Sequence, residues 1–155
     1  MSSAIARRAA TSVAVATIAV GAAAAPANAQ DFVFPSCAGF DVGVTIKSSA
    51  GNPPTVGPRA VFLAGTKKVT LENMETAATL SVRTAGAAMT TAGRNGSTII
   101  TISGPNLLFL FPTDPGGPST ALYDGRLVLN QGADDVTTII SSTGRTVDLC
   151  AALGG

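Results

Sequence analysis

Residues 40–47 read Phe-Asp-Val-Gly-Val-Thr-Ile-Lys, and this stretch decides the fold class. Its apolar side chains alternate with small or polar ones, which is the period-two pattern of a β-strand with one buried face. Residues 107–111 are apolar throughout, which predicts a strand that is covered on both faces. Less regular strand patterns occur at 60–63, 69–71, 78–84, 98–103, 127–129, 136–140 and 147–149.

Turn-forming residues separate these strands at short intervals. Asn95-Gly96 is a strong hairpin signal because both residues tolerate a positive φ. About eight to ten short strands in one domain predict an all-β, single-domain antiparallel β-sandwich, with a closed β-barrel as the alternative. Only 72–78 has some helical character, and it is too short to predict a stable helix. The other predicted breaks are 51–54, 104–106, 114–118, 124–125 and 144–145.

Residues 1–29 have the composition of a secretory signal peptide. Two arginines and an uncharged Ala/Val/Ile-rich run precede Ala27-Asn28-Ala29, whose small residues suit signal peptidase. We predict cleavage between Ala29 and Gln30, which leaves 30–155 as one secreted β-domain. An uncleaved membrane anchor is the alternative, but alanine is a weak membrane residue and the cleavage site follows directly. The domain is therefore expected in the extracellular medium or loosely associated with the cell envelope.

Removal of the signal changes the sign of the net charge. The ten Lys and Arg fall to eight because Arg7 and Arg8 are lost, while all nine Asp and Glu remain, so the net charge becomes −1. With this net charge, the domain has no long-range electrostatic attraction that would favour a nucleic acid or an anionic membrane as its partner. Another secreted protein or a component of the cell envelope remains a plausible partner class, and no membrane span is left after cleavage.

The two cysteines lie near opposite ends of the predicted domain. In an exported chain, the isolated pair Cys37 and Cys150 is most simply a disulfide, since no Cys-x-x-Cys spacing indicates redox chemistry. A bridge that closes a loop of this length stabilises the fold by about 4 to 5 kcal/mol in the chain-entropy model. We expect it to join the first and last strands.

Several short segments carry a resemblance to a known group of proteins. The chain resembles small secreted actinobacterial proteins that are β-rich, have a terminal cysteine pair and are uncharacterised. The resemblance implies secretion from a high-GC Gram-positive cell and no particular chemistry. The segments that carry it are Phe32-Val33-Phe34-Pro35, Cys37, Phe40-Asp41, Leu110-Phe111-Pro112-Thr113-Asp114, Gly117-Pro118-Ser119-Thr120, Leu122-Tyr123, Gly125-Arg126, Gly144-Arg145 and Asp148-Leu149-Cys150.

The composition argues against most enzyme classes. The chain has no histidine, so the commonest general base and a common zinc ligand are both missing. A carboxylate-dependent hydrolase of polysaccharide needs two converging acids, and the candidates are Asp114, Asp124, Asp134 and Asp135. Each lies among turn-forming residues, where Asp caps backbone amides. The sequence predicts no catalytic residue, metal site or cofactor.

The best candidates for a binding surface surround the predicted turn at Asp124-Gly125. Tyr123, Asp124 and Arg126 cluster there, and Tyr and Arg are enriched at binding hot spots. The leading functional prediction is a non-catalytic secreted β-domain with a binding or structural role. The alternatives are the hydrolase and a small protein inhibitor whose reactive loop would be 114–119.

Overall fold

The computed structural model describes residues 30–48 and 62–154, which form nine strands and one short helix. The predicted signal peptide and the predicted loop at 51–54 lie outside the described residues. In chain order the elements are β1 Phe32–Cys37, β2 Phe40–Ser48, β3 Phe62–Leu63, β4 Lys67–Asn73, β5 Thr79–Thr84, β6 Ala87–Ala92, β7 Thr98–Leu110, β8 Ser119–Gln131, β9 Thr137–Asp148 and α1 Leu149–Gly154.

The first sheet contains four antiparallel strands in the order β1-β2-β4-β5. The alternation at 40–47 has the predicted result, because Val42 and Val44 are fully buried while Asp41 and Lys47 are exposed. The segment 72–78 is not helical. Instead Asn73 accepts hydrogen bonds from the backbone N–H groups of Glu75 and Thr76 and closes the turn between β4 and β5.

The second sheet contains five strands. Its path is β3-β7-β8-β9, and β6 pairs with β7 beside β3. The two antiparallel sheets confirm the sandwich, and the closed barrel is wrong. Strand β6 had no sequence prediction because Ala-Ala-Met-Thr-Thr-Ala lacks an alternating pattern.

Three predicted breaks lie inside long strands of this sheet, so as turns they are wrong. In the β7-β8-β9 register, Gly104 pairs with Gly125, and Gly125 pairs with Gly144. Gly104 and Gly144 have φ values of 79° and 102°, which a residue with a Cβ rarely adopts. This glycine row bends all three strands at one level without interrupting their pairing. The sequence therefore predicted three separate turns where the sheet has one bend.

The bend is sharp enough to fold the second sheet back on itself. Asp114, in the loop before β8, accepts hydrogen bonds from the backbone N–H groups of Phe111 at 2.7 Å and Thr137 at 2.8 Å. Thr137 comes after β8, whose 13 residues would span about 40 Å if straight. The two ends of the strand can share one carboxylate only because the strand turns back at Gly125.

The fold-back creates two hydrophobic cores on opposite faces of β7, which we call the first core and the second core. Leu107 and Phe109 pack against the first sheet, together with Val42, Val44 and Leu71. On the other face, the following residues lie in one cluster drawn from both sides of the glycine row: Ile100, Ile102, Leu108, Leu110, Leu127 and Leu129. The prediction that 107–111 is covered on both faces is confirmed for 107–110, which are at most 2% exposed.

The predicted disulfide is present. Cys37 and Cys150 are joined, with their Cα atoms 5.5 Å apart, across a sequence separation of 113 residues. One detail of the prediction is wrong, because Cys150 lies in α1 and not in a terminal strand. Leu149 and Leu153 of this helix are buried in the first core. The bridge therefore holds the end of β1 to a C-terminal helix that closes the sandwich.

Candidate functional site

The three predicted binding residues lie in the middle of β8, not at a turn. Tyr123 packs against the second core, and burial raises the pKa of its hydroxyl above the ordinary value of 10.0. Asp124 and Arg126 are exposed on the opposite face of the strand. Tyr123 therefore does not share a surface with Asp124 and Arg126. The role of all three residues in binding stays a prediction.

The predicted acid candidates have structural partners in the backbone. Asp114 is only 5% exposed, and both its carboxylate oxygens accept backbone N–H groups. Asp134 accepts the N–H of Val136, and Asp135 occupies a turn position with a φ of 64°. Asp124 lies in the strand, opposite Arg145 of β9. The turn interpretation thus holds for three of the four acids and is wrong for Asp124.

Two other acids line a cleft at the disulfide end of the sandwich. Asp41 and Glu75 share a cleft of 430 Å³ whose remaining walls are largely proline, glycine and the ring of Phe40. Both carboxylates are exposed to solvent. The general acid of a glycosidase lies in a desolvated pocket, which these two exposed side chains do not form, and the hydrolase therefore stays a prediction. Within the described residues, no group of three or more Cys, Asp or Glu side chains is placed to hold a metal ion.

A second concave site, at the opposite end of the first sheet, is rich in cations. Lys47 of β2 lies directly opposite Lys68 of β4, and Lys68 lies directly opposite Arg83 of β5. All three side chains are exposed on the outer face of the sheet. Residues that are directly opposite in adjacent strands have Cα atoms about 4.5 to 5.5 Å apart. We call this line of three residues the cation row.

The cation row borders a pocket of 260 Å³ that also contains the buried Lys67. Among the described residues, no acid lines this pocket. The carboxylate of Asp31, which immediately precedes the edge strand β1, already accepts the backbone N–H of Ile46 at 2.6 Å. The chain has only three lysines, at positions 47, 67 and 68, so every lysine of the protein meets at this one pocket.

Sequence reasoning missed this site because its members are far apart in the chain. Strand β3 lies between Lys47 of β2 and Lys68 of β4 in the sequence, and Arg83 follows on β5. The available signal was that each cation lies one residue from a strand end. Only the antiparallel register places those ends at the same level.

No protein-family model, curated protein or solved structure matches the chain. The resemblance to small secreted actinobacterial proteins therefore stays an expectation. Among the described residues, no helix combines the length and apolar character that a membrane span requires.

Proposed function

We propose that this protein is a non-catalytic extracellular binding domain that holds an anionic component of the cell envelope through Lys47, Lys68 and Arg83. The observation that carries the proposal is the cation row, in which three like charges lie directly opposite one another on adjacent strands. Like charges directly opposite each other on adjacent strands destabilise a sheet. A bound anion attracts all three cations and so offsets that repulsion.

The sparse charge of the chain makes this grouping unusual. Charged residues are only 12% of the sequence, yet all three lysines gather at one pocket with an arginine. Scattered cations would serve solubility equally well and would avoid the repulsion. The concentration of Lys47, Lys68 and Arg83 on the outer face of the sheet therefore favours a role in recognition.

The chemistry and size of the pocket favour an oxyanion group on a larger molecule. Arginine binds phosphate or carboxylate through two parallel N–H bonds, and lysine adds a compact positive charge. The volume of 260 Å³ is below the range of about 300 to 1,000 Å³ that is typical of pockets for whole small molecules. A single phosphate or carboxylate group fits it better than a complete cofactor does.

A short row also suits a local contact better than a nucleic-acid groove. Three residues on adjacent strands span about 10 Å, because neighbouring strands are about 4.8 Å apart. Nucleic-acid binding usually requires a longer stripe of basic residues and a domain with a positive net charge. Here the domain after signal cleavage has a net charge of −1. The proposed ligand is therefore an envelope polymer that carries phosphate or carboxylate groups.

The test compares two triple variants that change the net charge equally. Lys47→Gln, Lys68→Gln and Arg83→Gln remove the cation row, while Arg94→Gln, Asn95→Asp and Arg145→Gln lower the net charge by the same three units at exposed positions elsewhere. Sedimentation with purified bacterial cell walls measures retention. We expect the row variant to lose about tenfold in affinity per cation removed, and the control to bind like the parent protein.

Competition identifies the group that is bound. Inorganic polyphosphate should displace the protein if the ligand is phosphate, and polygalacturonate should displace it if the ligand is carboxylate. Retention should also fall as salt rises, because exposed charges are screened. Equal retention of the row variant and the parent protein would refute the proposal. So would equal losses in both triple variants, since these would indicate an effect of net charge alone.

A further inference from the structure

Strand β6 is an exposed sheet edge. All six residues of Ala87–Ala92 are exposed, and β6 pairs on one side only, with β7. In an antiparallel strand, the backbone N–H and C=O of every second residue point to the same side. About half of the strand therefore directs its hydrogen-bonding groups outward, where no other described strand pairs with them.

The other described edges carry features that discourage pairing with another chain. Natural proteins protect edges with prolines, bulges, charged side chains or very short strands. Strand β1 contains Pro35 and a register shift, β3 has two residues, and β5 carries the exposed Arg83. Strand β9 has a register shift, a positive φ at Gly144, and the charged Arg145. Strand β6 has no proline, glycine, charge or bulge.

We infer that β6 pairs with β6 of a second copy of this chain, and that the protein is a twofold-symmetric dimer. An antiparallel pair of identical strands is closed by a twofold axis, so the same edge serves both subunits. Such an axis places the central side chain next to its own copy, so a charged residue at the centre of the strand would repel itself. The strand is uncharged throughout, which suits self-pairing.

The side chains of β6 fit this arrangement. Met89 is 61% exposed, the most of the exposed large hydrophobic residues, and it lies at the middle of the strand. If the twofold axis passes at Met89, each Met89 lies opposite its own copy. If it passes at Thr90, each Met89 lies opposite a threonine of the second copy. The nearest charge in the following turn is Arg94. Its two copies would lie about 30 Å apart, well beyond the Debye length at physiological salt.

The dimer would join two five-stranded sheets into one continuous sheet. The order across the interface becomes β9-β8-β7-β6, followed by the same strands in reverse. The residues of this interface are separate from the cation row, so the dimer can be tested independently of the proposed function. It does add one consequence, because two linked sites on a multivalent surface bind more strongly than one site.

The first test uses a charge at the centre of the edge. Met89→Lys places two ammonium groups close together near the axis of the dimer, while the exposed position of the side chain leaves the monomer fold intact. Ile140→Lys is the matched control, because Ile140 is 56% exposed on the other edge strand of the same sheet. Light scattering after size exclusion should find a dimer for the parent and the control, and a monomer for Met89→Lys.

A second test locates the axis directly. Opposing Cα atoms in an antiparallel pair are about 4.5 to 5.5 Å apart, which is within the range of a disulfide. Under mild oxidation, Met89→Cys or Thr90→Cys should give a covalent dimer, while Ile140→Cys should not. A monomeric parent protein, open-ended aggregates, or a dimer that survives Met89→Lys but not Ile140→Lys would overturn the inference.

Discussion

At the scale of single residues, the buried carboxylate of Asp114 has a larger role than its place in a loop suggests. Proline and glycine residues around it made a local turn the natural expectation. The turn exists, since Asp114 accepts the N–H of Phe111, but the same side chain also reaches the first residue of β9. One side chain thus links the loop before β8 to the far end of the folded sheet.

We expect Asp114→Asn to destabilise the protein by about 1.5 to 3 kcal/mol. The amide that replaces one oxygen is a donor, so it would face a backbone N–H and leave that group without an acceptor. Urea denaturation followed by circular dichroism gives the free energy of unfolding. Asp124→Asn is the control, because Asp124 is exposed and its change should stay within about 0.5 kcal/mol. Equal losses in the two variants would contradict a special role for Asp114.

At the scale of secondary-structure elements, the glycine row decides the shape of the second sheet. Asn106 supports the bend, since its buried side chain donates to the carbonyl oxygens of Ser103 at 3.1 Å and Gly104 at 2.7 Å. Gly86 lies beside the row, where a Cβ would collide with the Asn106 amide. Tightly packed backbone at this level explains why glycine occurs on several neighbouring strands.

A comparison of Gly144→Ala with Gly39→Ala separates two reasons for a glycine, which are a positive φ and the close approach of neighbouring backbone. Their φ values are 102° and 95°, so both alanines pay a similar conformational cost of about 1 to 2 kcal/mol. A Cβ at Gly39 meets nothing within 4 Å, whereas a Cβ at Gly144 collides with the Asp124 carbonyl oxygen and lies 2.8 Å from the Gly125 Cα. We expect Gly144→Ala to lose about 1 to 3 kcal/mol more in thermal or urea unfolding. Similar losses for both would show that the bend tolerates wider spacing.

At the scale of the whole molecule, the disulfide connects the two ends of the described domain. It joins β1 of the first sheet to α1, which follows the last strand of the second sheet. The link therefore restrains most of the described domain. In the unfolded state, a bridge across 113 residues removes a large number of extended conformations.

Cys37→Ala with Cys150→Ala should lower the free energy of unfolding by about 4 to 5 kcal/mol. Urea denaturation should also give a steeper dependence on denaturant, because the unfolded chain without the bridge exposes more surface. That change in slope distinguishes the bridge from a simple cavity at the buried Cys37. Parent protein measured with a reductant is the control and should match the double variant. An unchanged slope and an unchanged stability would contradict the expected restraint of the unfolded chain.

The amino-acid sequence by itself determined the β-class of the domain, its cysteine pair and the burial of Leu107 to Leu110 on both faces. These features follow from alternation, composition and spacing, which act over a few residues at a time. Only the tertiary structure decided the folded-back sheet, the cation row and the unprotected edge at β6. Gly104, Gly125 and Gly144, like Lys47, Lys68 and Arg83, become neighbours through strand register. Register depends on which distant strands bury their faces together, and no local pattern contains that information.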